Sequence, residues 1–152
     1  METLKLKKLP VPVIYNSSGY ESVDTLKSLD DFVDCYLPDF KYAQSDLAKR
    51  FSEAKDYPEI CVQAITQMIE QTGENCYDEN GVLQSGVIIR HLILSAHTKN
   101  SMDVLAVIKE NFRKLKFSLM AQYTPRGRAS LKKLIGLLPK ESSKKLKNIC
   151  LN

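Results

Sequence analysis

The apolar positions of the chain are densest in residues 82–97, its most apolar stretch. On a helical wheel the apolar side chains of residues 87–97 point in nearly every direction, and only Arg90 and His97 share a narrow polar stripe. A helix that is apolar almost all round is a buried helix, so the pattern predicts a central buried helix over residues 87–96. A buried strand over residues 87–94 is the alternative, because three β-branched residues begin it. We favour the helix because the chain offers no second strand of similar quality to pair with this one.

Apolar residues also recur at helical spacing in six other segments. Pro38 ends the first of them, Pro58 begins the third in the position that proline favours, and Gly73 follows its end as a cap. The fourth is the longest, and its apolar residues fall within an arc of about 100°. The six segments are residues 22–37, 45–55, 58–72, 101–122, 128–138 and 142–151.

These patterns predict an all-α fold, a single compact domain of six or seven helices packed around the buried central helix. Residues 1–20 differ, because Pro10 and Pro12 disfavour helix and fix an extended path. We therefore expect an extended basic N-terminal arm over residues 1–20, with one short strand at residues 11–15. A single helical domain should follow over residues 21–152.

Length and composition exclude several classes of protein. The 152 residues suffice for one domain whose core needs no metal or disulfide. The four cysteines are widely spaced and show no CxxC or CxxxH pattern, so we expect no metal site and no cofactor. An apolar leader and an apolar run of roughly 20 residues are both missing from the sequence. We expect a cytoplasmic or nuclear protein of a host cell, with no signal peptide and no transmembrane segment.

The sequence also lacks the motifs of common enzymes, so we expect a protein that is not an enzyme. It contains no phosphate-binding glycine loop followed by Lys-Ser or Lys-Thr, no G-x-S-x-G and no H-E-x-x-H. His91 and His97 are six residues apart and do not share a helix face, which argues against a two-histidine site. His91 should be satisfied in the core, and Arg90 should need a partner from the acidic half of the chain.

Charge is distributed unevenly along the chain, whose formal net charge is +4. Residues 21–80 carry 14 acidic and 5 basic side chains, a net charge of −9, whereas residues 81–152 carry 3 and 14, a net charge of +11. Such asymmetry is typical of proteins that contact nucleic acid, a membrane or another copy of themselves. The acidic half predicts either a solvated surface or a docking face for a basic partner, including the basic half of a second copy in a homo-oligomer.

The basic C-terminal region gives the candidate binding site. If its helices turn their cations to one side, they form a surface that binds phosphates. Phe117 lies among these cations, and an aromatic ring among cations is typical of single-stranded nucleic-acid binding. The alternative is that the lysines form a solvated face and Phe117 packs against a second helix. The candidate residues are Arg113, Lys114, Lys116, Phe117, Arg126, Arg128, Lys132, Lys133, Lys144, Lys145 and Lys147.

One four-residue string resembles a known motif. Residues 57–60, Tyr57 to Ile60, read YPEI and look like the YPx(L/I) motifs by which some viral structural proteins recruit membrane-budding machinery. The same string has an ordinary explanation, because Pro58 begins a predicted helix. The small size, single domain and patchy charge of the chain suit a viral accessory or structural protein.

We therefore expect a non-enzymatic protein associated with nucleic acid, RNA more than DNA, that binds phosphates through its basic C-terminal surface. A second hypothesis is an adaptor for another protein, or a host-factor antagonist, that uses the acidic face or the N-terminal arm. A third is a matrix-type protein that meets an anionic membrane through the basic surface.

Overall fold

The computed structural model of the protein describes residues 9–94 and 97–121, and these residues form an α/β fold. Five strands and four helices alternate along much of the chain, as they do in folds built on a parallel sheet. In chain order the elements are β1 (Ile14–Ser17), α1 (Val23–Ser28), β2 (Cys35–Pro38), α2 (Ser45–Ser52), α3 (Tyr57–Thr72), β3 (Cys76–Tyr77), β4 (Leu83–Leu92), α4 (Thr98–Asn111) and β5 (Lys116–Met120).

The sheet is organised around β4, its longest strand. β1 pairs with β2, β2 pairs with β4 and β4 pairs with β5, all in parallel, whereas the short β3 pairs antiparallel with the first part of β4. The four parallel strands therefore lie side by side in their order along the chain. Helices connect each parallel strand to the next, because a parallel crossover needs a long connection.

The prediction of an all-α domain around a central helix is wrong, because the predicted helix is the strand β4. A central strand covered on one face and half-covered on the other can be apolar at almost every position, as a buried helix is. The strands that pair with β4 were not predicted from the sequence because they are short. β2 overlaps the end of the segment 22–37 predicted as one helix, and β5 lies inside the segment 101–122.

The two long helix predictions therefore each merge a helix with a strand. Ser22 caps α1 as its type suggests, accepting a hydrogen bond from the Thr25 amide at 3.1 Å, but the helix ends after six residues. In the second segment Phe117 and Leu119 face the interior while Lys116 and Ser118 are exposed. That alternation has the period of a strand.

Other predictions hold. The helix expected after Pro58 is α3, which Gly73 follows as its C-cap, and the helix expected over residues 45–55 is α2. The short strand expected in the N-terminal arm is β1, shifted a few residues toward the C-terminus. The helices predicted over residues 128–138 and 142–151 lie outside the described residues, as does the start of the arm.

The core lies on one face of the sheet. Tyr36 of β2 and Val87 and Ile89 of β4 belong to one hydrophobic cluster, to which all four helices contribute buried side chains. Side chains at alternate strand positions point to opposite faces. The second face of the parallel strands therefore presents the intervening residues, and most of these are half-buried or exposed: Ile14, Asn16, Leu37, Ile88, Arg90, Leu92, Lys116, Ser118 and Met120.

Gly86 shows how closely the sheet packs near β3. Its φ of +129° suits glycine, and a Cβ there would lie 2.2 Å from the side-chain oxygen of Asn75. The side chain of Asn75 makes two hydrogen bonds to the main chain of Val87: Oδ1 accepts from the Val87 amide at 2.8 Å, and Nδ2 donates to the Val87 carbonyl at 3.0 Å. The Asn75 side chain thus pairs with β4 as the main chain of a neighbouring strand would. This contact holds the turn before β3 against the centre of the sheet.

Candidate ligand site on the second face of the sheet

Polar side chains gather on the second face, toward the carboxyl ends of the parallel strands. Asn16 is near the end of β1, Asp39 directly follows β2 and Arg90 is near the end of β4. The register brings Asp39 opposite Arg90 through an isolated parallel bridge, and Ser118 of β5 is the partner of Arg90 on its other side. The sheet thus brings together residues that are up to 74 positions apart in the chain.

Arg90 is the centre of this group. Its Nη2 lies 2.7 Å from Asp39 Oδ1 as an ion pair and donates a hydrogen bond to Asn16 Oδ1 at 2.5 Å. The two charged side chains are 24% and 25% exposed, so each is largely withdrawn from water. The expectation that Arg90 takes a partner from the acidic half is confirmed, although Arg90 lies on a strand.

The Nε of Arg90 is buried and has no hydrogen-bond acceptor among the described residues. A buried donor without an acceptor costs about 1–3 kcal/mol, and more when the group is charged. The guanidinium keeps its charge at all ordinary pH values, so it cannot escape this cost by losing a proton. Within the described part of the chain, the guanidinium therefore keeps one charged donor without a partner.

The main chain that carries Asp39 is fixed by hydrogen bonds to its neighbours. The Asp39 amide donates to the Ser17 carbonyl at 3.0 Å, and the Phe40 amide donates to the Arg90 carbonyl at 2.8 Å. The Phe40 side chain is fully buried in the core. Because Phe40 points inward, its neighbour Asp39 points to the second face, toward Arg90.

The next residues of this loop are held by α4. Asn100, at the start of that helix and almost fully buried, donates from Nδ2 to the Lys41 carbonyl at 2.9 Å and accepts from the Ala43 amide at 3.0 Å. One side chain thus satisfies the Lys41 carbonyl and the Ala43 amide, two backbone groups that in an exposed loop would bond to water. The loop from Asp39 to Ala43 therefore has little freedom to move.

His91 joins the same loop to α4 from inside the core. Its Nδ1 lies 2.6 Å from the Phe40 carbonyl oxygen and its Nε2 lies 2.9 Å from Ser101 Oγ. A carbonyl only accepts, so Nδ1 carries the proton and Nε2 accepts from the Ser101 hydroxyl. Burial lowers the pKa of His91, although the Phe40 carbonyl and Asp39 oppose this change. The prediction that His91 is satisfied in the core is confirmed.

Buried ionisable groups lie under the loops after β1 and β2. Tyr57, at the start of α3, is bonded through its hydroxyl to both loops, and Cys61 lies one turn further along the helix. Burial raises the pKa of the Cys61 thiol to about 12, so the thiol is protonated at neutral pH. A protonated buried thiol is a poor nucleophile, so Cys61 is a packing residue here.

The residues predicted to bind nucleic acid fall into three groups. Arg113, Lys114 and Lys116 line an open cleft of about 760 Å³ at the amino end of β5. Phe117 packs against the hydrophobic clusters, which is its position in the alternative interpretation. The others lie outside the described residues: Arg126, Arg128, Lys132, Lys133, Lys144, Lys145 and Lys147.

The cleft is at the amino end of β5, whereas the Arg90 group lies toward the carboxyl ends of the parallel strands. Tyr77 forms part of its wall, with the Lys116 ammonium 4.2 Å from the centre of its ring. The Lys114 ammonium lies 3.5 Å from a carboxylate oxygen of Glu74, but both side chains are about 90% exposed, so this pair contributes little stability. The structure thus brings three predicted residues to one cleft that has an aromatic wall.

Sequence reasoning missed Asn16, Asp39 and Tyr57. The signal that could have found the first two is their position, because Asn16 lies near the end of one short strand and Asp39 directly follows another. Residue types and spacing alone did not mark them, since neither belongs to a motif. Tyr57 could not be identified in this way, because its role depends on two loops far from it in the chain.

Two further findings concern metal binding and membrane spanning in the described residues. No group of three histidine, cysteine or acidic side chains in residues 9–94 and 97–121 is arranged to hold a metal ion. Over the same ranges, none of the helices combines the length and the apolar character needed to cross a bilayer.

Comparison with known proteins gives one informative similarity. The chain is 29% identical over 130 residues to MJ0674, an uncharacterized protein of Methanocaldococcus jannaschii. The similar region covers 85% of this chain and 34% of MJ0674, so the chain spans about a third of the length of this relative. No family model and no solved structure matches the chain. Because the similarity is to an archaeal protein, the interpretation of the chain as viral is corrected.

Proposed function

We propose that the second face of the sheet binds a small ligand through Arg90, with Asp39 and Asn16 fixing the orientation of the guanidinium. The observation that carries this proposal is the buried Arg90 Nε without an acceptor among the described residues. An anionic oxygen is the acceptor that a guanidinium binds best. The ligand should therefore present a carboxylate or a phosphate to Nε.

The position of this group in the fold supports the proposal. In open α/β sheets, ligands bind in the crevice outside the carboxyl ends of the parallel strands. The Arg90 group lies toward those ends, and three strands contribute to it. Loops after β1 and β2 form its rim, and the second of them is held by hydrogen bonds to β4 and α4. A site with a fixed surround loses little freedom when it binds a ligand.

The proposal is tested by following the Nε–H signals of the arginines in ¹H–¹⁵N NMR spectra during titration with acetate and with inorganic phosphate. The Arg90 signal, identified by its loss in Arg90→Lys, should move in a saturable way. Arg50→Lys is the matched control, because the Arg50 guanidinium lies over the Phe51 ring at 5.4 Å and takes no part in the Arg90 group. If the Arg90 signal does not respond, or moves no more than the other arginine signals, the proposal fails.

The cleft at the amino end of β5 supports a second proposal, that the protein binds single-stranded RNA through its cations. Three cations near an exposed edge, with an aromatic residue beside them, are the elements that single-strand binding uses. Binding should weaken steeply as salt concentration rises, because phosphate contacts release counterions. Fluorescence anisotropy with a labelled RNA oligonucleotide measures this.

The matched variants change the same charge at two places. Lys114→Glu with Lys116→Glu should weaken RNA binding strongly, whereas Lys49→Glu with Lys99→Glu, on exposed positions of α2 and α4, should leave it nearly unchanged. If both double variants lose RNA affinity equally, only the total charge of the protein matters, and the cleft is not the RNA-binding site. Binding to acidic liposomes in place of RNA would favour the membrane hypothesis.

A further inference from the structure

The two loops that carry the site meet at one buried hydroxyl. Tyr57 Oη lies 2.8 Å from the Ser18 carbonyl oxygen in the loop after β1 and 2.7 Å from the Asp39 carbonyl oxygen in the loop after β2. It also accepts a hydrogen bond from the Lys41 amide at 2.9 Å. Tyr57 is only 2% exposed, so no water competes for these contacts. One side chain on α3 thus bonds three main-chain groups of two separate loops.

The hydroxyl acts as a donor to both loops. Burial, with the nearby Cys61 and Asp39, raises the pKa of Tyr57 far above its ordinary value, so the group keeps its proton. A tyrosine hydroxyl has one proton, and the two carbonyls therefore share it or take it in turn. Any movement of one loop changes the hydrogen bond that the other loop receives. The hydroxyl links the positions of the two loops energetically.

The packing around this hydroxyl leaves no room for the loops to adjust separately. Gly19 has a φ of +76°, and a Cβ at that position would lie 2.3 Å from the Asp39 carbonyl oxygen and 2.9 Å from Cys61 Sγ. The Cys61 thiol is itself 3.7 Å from the same Asp39 oxygen. On the outer side the Tyr20 ring stacks on Tyr57 with centroids 5.8 Å apart. The two loops and α3 are in direct contact.

We propose that Tyr57 is a positioning residue that couples the loop after β1 to the loop after β2 and so holds Asn16 and Asp39 against Arg90. The effect on a ligand rests on the proposed function, whereas the coupling itself does not. Asn16 lies two residues before Ser18, and Asp39 itself supplies one of the acceptors. Removing the hydroxyl takes its donor from the Ser18 carbonyl, leaves the Asp39 carbonyl only the weak Cys61 thiol at 3.7 Å, and leaves the Lys41 amide without its acceptor. The loops should then separate, and the Arg90 guanidinium should lose its fixed orientation.

The test compares Tyr57→Phe with Tyr42→Phe. The Tyr42 ring packs edge-on against Tyr57 at 5.4 Å, but its hydroxyl bonds to Ser52 Oγ on α2 at 3.0 Å. Both variants lose one hydroxyl from the same aromatic cluster, and thermal unfolding shows how much stability each loses. The decisive measurement is the NMR spectrum without ligand. Tyr57→Phe should move the Lys41 amide and Arg90 Nε–H signals, and Tyr42→Phe should leave both in place.

Titration with acetate then measures how the loss of the hydroxyl changes the affinity of the Arg90 site. In Tyr57→Phe the affinity for acetate should fall up to about tenfold, the change that corresponds to one lost hydrogen bond. The Lys41 amide loses its direct acceptor in Tyr57→Phe, so the Arg90 Nε–H signal decides the question. If Tyr57→Phe lowers the unfolding temperature and moves the Lys41 amide signal but leaves the Arg90 signal unchanged, the hydroxyl only stabilises the fold and the coupling is refuted. Another outcome is that the Arg90 signal of the wild-type protein does not respond to acetate although Tyr57→Phe moves that signal in the ligand-free spectrum. In that case the coupling stands and the proposed function fails.

The wild-type chain gives the same test if Tyr57→Phe does not fold. A hydroxyl proton buried in this way exchanges slowly enough to be observed and should show a through-space contact with the Lys41 amide proton. Its signal should move together with the Arg90 Nε–H signal as acetate is added. A Tyr57 hydroxyl signal that stays fixed while the Arg90 signal moves would overturn the coupling.

Discussion

Arg90 and His91 show how two neighbouring residues on one strand acquire opposite roles. Alternation along β4 sends Arg90 to the half-exposed face and His91 into the core. The arginine keeps its charge and holds a carboxylate and an amide, while the histidine is held neutral by burial. The charged group is thus available to a ligand, and the neutral one fixes the loop beside it.

The burial of His91 predicts how stability depends on pH. Its pKa is lowered in the folded state, so between that pKa and the ordinary value of about 6.5 the unfolded chain binds more protons. The stabilisation from neutral His91 should be complete above about pH 6.5 and should be lost as pH falls toward the lowered pKa. Urea unfolding at a series of pH values measures this.

His91→Gln should show a smaller loss of unfolding free energy between pH 7 and pH 5, although it should be less stable than wild type at pH 7. His97→Gln is the control, since it leaves His91 in place and should keep the wild-type slope. A His91→Gln variant with the full wild-type slope would mean that carboxylates, and not this histidine, cause the pH dependence.

At the scale of elements, periodicity identified the amphipathic helices, missed β2, β3 and β5, and left β4 only as the alternative to a buried helix. Pro58 and Gly73 mark the ends of α3, and its apolar stripe is long enough to be unambiguous. β2 has only four residues, and β5 has five, so each fits within a helical stripe. A strand as short as these offers too few positions to separate a period of 2 from a period of 3.6. Hydrophobic periodicity depends only on residues close together in the chain, whereas a strand is defined by the strands that pair with it.

The candidate site was predictable to a smaller extent. The need of Arg90 for an acidic partner followed from a charge inside an apolar run. Its second partner, Asn16, and the hydroxyl of Tyr57 did not follow, because both depend on which strand lies beside which. A parallel sheet brings residues from distant parts of the chain together, so the site is a product of topology. Motif searches cannot find a site of this kind.

At the scale of the whole molecule, one hydrophobic cluster unites the sheet with all four helices. Its members include Leu26 of α1, Ala48 of α2, Ile65 of α3 and Val104 of α4, with Ile89 of β4 at the sheet. Elements that share one core unfold together in small domains. The loop after β2, which carries Asp39, is attached to this core through Phe40, which is fully buried. The stability of the site therefore depends on the stability of the whole described part.

Replacing Ile89 by Ala tests this arrangement, because Ile89 is fully buried in the shared cluster. The cavity should lower the free energy of unfolding by about 2–5 kcal/mol. Ile88→Ala is the matched control: the neighbouring residue faces the other side of the sheet, is only half-buried and should cost clearly less. Denaturant unfolding followed by far-ultraviolet and near-ultraviolet circular dichroism measures both values. The two signals should change together in each variant. Equal losses for Ile88→Ala and Ile89→Ala would contradict the assignment of the two faces, and separate transitions would show that the helices do not depend on one core.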